Sequence, residues 1–99
     1  NCCLTLVCHK SLEERLIDHL LEHPEWVPAF SCNHIEGHSQ KKYLPTATEQ
    51  VRGRTERVEI RSVMNLEDAH LLVNHLKAEA ANSYVVYWIS PVIEFGRLL

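Results

Sequence analysis

Residues 54–63 read RTERVEIRSV, in which Val58 and Ile60 alternate with Arg57, Glu59 and Arg61. That period of two predicts a strand with one buried and one wet face. Directly after it Asn65 has the chemistry of a helix N-cap, with Asp68 three positions on. Leu66, Ala69, Leu72, Val73, Leu76 and Ala80 then recur at helical spacing and form one apolar stripe. Asn82-Ser83 turns the chain into YVVYWI, residues 84–89, a strand apolar on both faces that Pro91 breaks. The C-terminal half is therefore strand, helix, strand.

The N-terminal half repeats this plan. CCLTLVC, residues 2–8, is a short apolar run with β-compatible residues. Ser11 and Glu14 have the spacing of a capping box. Leu12, Leu16 and Leu20, with Ile17 and Leu21, make the stripe of a first helix, and Glu14, Arg15, Asp18 and Glu22 its wet face. Pro24 ends that helix. A second strand is expected from Val27 to Gly37, with Pro28 near its start as on an edge strand or at a bulge. The order β-α-β-β-α-β is the ferredoxin-like arrangement of the α+β class, with a four-stranded antiparallel sheet. A long loop joins strands two and three, and Val92 to Phe95 form a short C-terminal extra strand. Two helices cover one face of such a sheet, so the apolar second face points to a homo-oligomer.

Composition narrows the function. The 99 residues fit a single domain with 45% hydrophobic and 23% charged residues. A net charge of −3 argues against a nucleic-acid binder, which usually carries a basic excess. No apolar run approaches the roughly 20 residues that a membrane-spanning helix needs. Cys2, Cys3, Cys8 and Cys32 form no C-x-x-C pair, and adjacent Cys2 and Cys3 point to opposite faces of a strand. Free thiols in a reducing cytoplasm are the expectation.

The most suggestive chemistry lies in strand two. Period two puts Cys32, His34, Glu36 and His38 on one face, all ligands for a borderline divalent ion such as Zn, Cu, Ni or Co. Same-face neighbours stand about 7 Å apart, so chelation needs help from another strand or subunit, and a solvated polar strand face is the plain alternative. His19 and His23 have helical metal-sharing spacing but no obvious third ligand, and His70 and His75 share no face. From His38 to Gly53 sixteen residues show no periodicity, which predicts a functional or mobile loop. Lys41, Lys42, Arg52 and Arg54 flank it and suit an anionic effector, or simply a charge-laced solvated loop. No phosphate-binding G-x-x-x-x-G-K-[ST] loop and no G-x-S-x-G elbow occur, and no catalytic set assembles, so an enzyme is not expected.

Other hosts of this fold fit poorly. Acylphosphatases need a glycine-rich, arginine-bearing loop where this chain has His9-Lys10-Ser11-Leu12. Heavy-metal-associated domains need C-x-x-C there, and RNA-recognition domains need aromatics where strands one and three carry Thr5, Val7, Glu59 and Arg61. The stretch IEGHSQKK, residues 35–42, instead resembles the exit from strand two into the T-loop of PII signalling proteins. The whole chain resembles a small bacterial PII-like family of unknown function, whose members lie near heavy-metal efflux genes. CLTLVC (3–8), LLEHP (20–24), EQVRGR (49–54) and YWISPV (87–92) carry that resemblance.

The resemblance implies a homotrimer with effector sites between subunits and a loop that engages a transporter, an efflux component or another regulator. It implies a non-enzymatic regulator that answers to a divalent metal or small anion and presents residues 38–53. The alternative is a metal-tolerance protein of CutA type that buffers ions without signalling. PII proteins bind adenine nucleotides through a glycine-rich loop between helix two and strand four. Here Ala80 to Tyr84 read AANSY without glycine, which argues against adenine-nucleotide binding in that manner.

Overall fold

CCLTLVC takes a central place in the sheet, while YVVYWI, equally apolar, lies at its edge. In the computed structural model, residues 1–38, 54–82 and 84–99 are described, with the backbone alone at Arg54 and Thr55. The elements are β1 (Cys2–His9), a 3-10 turn (Lys10–Leu12), α1 (Glu13–Leu21), β2 (Ser31–His38), β3 (Arg54–Met64), α2 (Leu66–Glu79) and β4 (Val86–Pro91). The four strands pair antiparallel in the order β2-β3-β1-β4, the ferredoxin-like order. Every residue from Cys2 to Cys8 is buried.

Register assigns the faces, because residues opposite one another on antiparallel strands point the same way. Leu6 stands between Ile60 and Tyr87, and Cys8 beside Val58. Cys2, Leu4, Leu6 and Cys8 with Val58, Ile60 and Met64 therefore face the helices. Leu16 and Leu20 of α1, and Ala69, Leu72, Val73 and Leu76 of α2, close this core. Thr5 and Val7 point the other way, in rows with Arg61 and Trp88 and with Glu59 and Val86. Both helices pack on the first side.

Several local expectations are corrected. The Ser11–Glu14 capping box does not form: Ser11 N donates to His9 Nδ1 at 3.2 Å, and the turn it closes delays α1 to Glu13. Strand two starts at Ser31 rather than Val27. Between the prolines Val27 N bonds His23 O at 3.0 Å, which turns the buried Val27 side chain into the core. Ser62 Oγ, itself buried, then donates to Ala29 O and fixes this connection to β3. Leu66 and Leu21, at the ends of their stripes, are 51% and 63% exposed.

Strand four spans Val86–Pro91 rather than residues 84–89; as an edge strand it tolerates a terminal proline. The extra C-terminal strand is not formed within the chain. Val92 N donates to Asn1 O at 3.3 Å, and residues 92–99 carry no strand beyond it. Ile93, Phe95, Leu98 and Leu99 are left exposed.

Candidate functional site

β2 is the edge strand beside β3, and its register sets Cys32 opposite Ile60, His34 opposite Val58, Glu36 opposite Glu56 and His38 opposite Arg54. The four candidate ligands thus share one face, as the spacing requires, and it is the face that bears the helices. All four are exposed. Glu13 is the residue that sequence reasoning missed. It opens α1, and its Oε2 lies 3.1 Å from His34 Nε2. The signal was available: an acidic residue in a first helical turn is stabilised there by the helix dipole, but nothing in the spacing said that β2 would face it.

The chain does not draw the four together. His38 Nε2 pairs instead with Glu36 Oε2 at 3.0 Å, and among the described residues no three His, Cys, Asp or Glu side chains converge on a common metal position. The thiols are held in the protonated form. Burial, then the negative charge of Glu13, raises the Cys32 pKa. Burial, Glu13 and Cys32 push Cys8 up to about 11. A neutral thiol is a poor nucleophile and a poor metal ligand, so at neutral pH this face offers imidazoles and carboxylates first.

The Arg57 side chain lies across Gly37, and a Cβ at position 37 would displace its flexible end. The strand therefore leaves β2 with a guanidinium folded over its last turn of pleat. Arg54 opens β3 opposite His38, while Lys41, Lys42 and Arg52 of the proposed anion-binding set lie outside the described residues, as does loop 39–53.

Two other surfaces bear on function. A groove of about 200 Å³ lies between the helices and β4, lined by Leu6, Leu16, Val73, Leu76, Val85 and Tyr87 among others. It adjoins the Ala80–Asn82 segment, is apolar, and is smaller than the roughly 300 Å³ at which small-molecule sites begin. On the opposite side of the sheet Trp88 and Val86 are 47% and 48% exposed, and Ile35 of β2 is exposed on the same side. No described helix is long and apolar enough to cross a membrane.

Comparison with known proteins agrees with this architecture. The family described as "Protein of unknown function (DUF3240)" matches residues 1–99. A crystal structure of a DUF3240 family protein from Shewanella baltica superposes with a TM-score of 0.78 at 21% identity, covering 99% of this chain and 96% of that one. The structure of a protein described as a PII-like signalling protein from Thermus thermophilus superposes with a TM-score of 0.63 at 16% identity, covering 90% and 82%. At these identities the structural likeness concerns the fold. No curated protein matches the chain.

Proposed function

The chain belongs to the DUF3240 family, and from that premise we propose that it is a non-enzymatic, homotrimeric PII-like regulator. It answers to a divalent metal or small anionic effector and presents residues 38–53 to a partner such as a transporter. One observation carries the reading: the sheet face that bears no helix holds Trp88, Val86 and Ile35 exposed. Trp88 and Val86 lie together on the β4 edge and Ile35 on the opposite β2 edge, across the charged row of β3; self-association about a symmetry axis buries such edges without a second gene product. The PII-like fold supports a regulatory role by analogy.

In this reading Cys32, His34, Glu36 and His38 supply part of a metal site that a neighbouring subunit completes. Lys41, Lys42, Arg52 and Arg54 receive an anion. The experiment is limited trypsin digestion with and without Zn²⁺, Cu²⁺, Ni²⁺, Co²⁺ or phosphate. A regulator changes its rate of cleavage after Lys41, Lys42 or Arg52 when an effector is added. A CutA-type buffer binds the ion and leaves those rates unchanged. Calorimetry on the wild type and on His34→Ala plus His38→Ala then tests the ligands: identical isotherms leave β2 as a solvated strand face.

A further inference from the structure

The helical corner away from β2 brings together three histidines that are dispersed in sequence. His19 lies on α1, His23 just past its end, and His75 on α2. His23 Nε2 is 3.1 Å from His75 Nε2. On its other side His23 Nδ1 is 3.0 Å from Glu25 Oε2, and its ring stacks on Trp26 with centroids 4.5 Å apart. The His19 ring stands edge-on to His75 at 5.8 Å. His19 Nδ1 is buried with no hydrogen-bond partner among the described residues.

Each of these facts has a chemical meaning. A carboxylate at Nδ1 fixes the His23 proton on that nitrogen, so in the neutral ring Nε2 is the lone-pair atom. A carboxylate behind a ligating histidine is also the usual outer support of an imidazole–metal bond. Two nitrogens bound to one tetrahedral ion at about 2.0–2.1 Å lie about 3.3 Å from each other. The observed separation of 3.1 Å is close to that value. With His23 Nε2 as acceptor, His75 Nε2 is the donor of this hydrogen bond. A buried ring nitrogen without a partner is costly, and an ion or a water is among the groups that satisfy one.

We propose that His23 and His75 form a preset divalent-metal site through their Nε2 atoms, with His19 as third ligand once its ring turns toward them. The ion is a borderline first-row divalent cation, for which imidazole is the preferred ligand. Binding moves the His75 proton from Nε2 to Nδ1 and replaces the His–His hydrogen bond by two metal bonds. The His19 ring rotates because its nitrogen does not yet meet the other two. The site ties the end of α1 to α2 and uses no residue of β2 or of loop 38–53, so it stands or falls independently of the proposed effector face.

The test is Zn²⁺ titration of the full chain, followed by calorimetry and by long-range ¹H–¹⁵N spectra of the imidazoles. The expected result is one saturable ion per chain at this corner, with the ring-nitrogen signals of His23, His75 and His19 shifted. His75→Gln and His23→Ala each weaken binding at least tenfold, while His70→Ala on the exposed side of α2 leaves this step unchanged. The spectra of the wild-type chain decide the matter even where a variant is poorly folded. Absence of saturable Zn²⁺ binding overturns the proposal. So do shifts confined to His34 and His38, or a wild-type isotherm from well-folded His75→Gln.

Discussion

The two faces of the sheet are built from the same four strands and have different completions. On one face Leu4, Leu6, Val58 and Ile60 are sealed by Leu16, Leu20, Leu72 and Leu76 of the two helices. On the other, Trp88 and Val86 stay about half exposed beside buried Thr5 and Val7. Local sequence determines both faces equally well, since alternation assigns each side chain to one of them. Among the described residues, only the first has its cover. The difference teaches that the amount of apolar surface on a small domain can report what lies outside it.

The covered face should give the largest effect on stability. Leu72 is fully buried in the core, and Leu72→Ala is expected to lower unfolding free energy by about 2–5 kcal/mol, the usual range for a truncated core leucine. Urea denaturation measures it; a loss below about 1 kcal/mol would mean that this face is loosely packed. For the opposite face, substitution of Trp88 separates the alternatives. On a solvated surface Trp88→Asp should change stability by no more than about 0.5 kcal/mol. In a subunit interface the charge is buried without a partner, and assembly fails.

The sealed face should also be visible in its thiols. Cys8 is buried there, and its pKa of about 11 lies above the ordinary 9.0. The neutral thiol is the form that folding favours. Its stabilising share is fully present below pH 9 and is lost as pH rises from 9 towards 11, about 3 kcal/mol in total. Cys8→Ser should remove that part of the alkaline loss. Iodoacetamide at neutral pH should modify Cys32, the exposed cysteine, ahead of Cys2, Cys3 and Cys8. First modification at Cys8 would show that the helical cover opens readily.

How much of this was legible beforehand follows from the same contrast. Alternation in residues 54–63 and the two helical stripes were enough for element order and sheet topology, because each element had one face to hide. The ends were less legible. His9 displaced Ser11 as the capping group, and Val27 was an anchor in the core rather than a strand residue. Both outcomes depend on neighbours that no local window contains. The same limit applies to sites. Cys32, His34, Glu36 and His38 were found on one face, as read, but strand geometry keeps such residues apart. His75 was passed over because its partner His23, just past the end of α1, is 52 residues away in sequence.

The smallest effect expected is at the helical corner. The His23 hydrogen bond, ahead of its own backbone, lowers the Glu25 pKa below the ordinary 4.5. The pair therefore contributes above that value and is lost as pH falls below it. Glu25 is on the surface, so Glu25→Gln should only slightly flatten the acid limb of the stability curve. A large shift of that limb would mean that the corner, and not the sheet, governs acid unfolding.

The assembly state is the most direct test of the account. Light scattering at micromolar concentration should give a species of about 34 kDa for the wild type, three times the 11.4 kDa chain. For Trp88→Asp that species should be lost, leaving smaller or aggregated material. A well-folded wild-type monomer of 11.4 kDa, unchanged by Trp88→Asp, would contradict it.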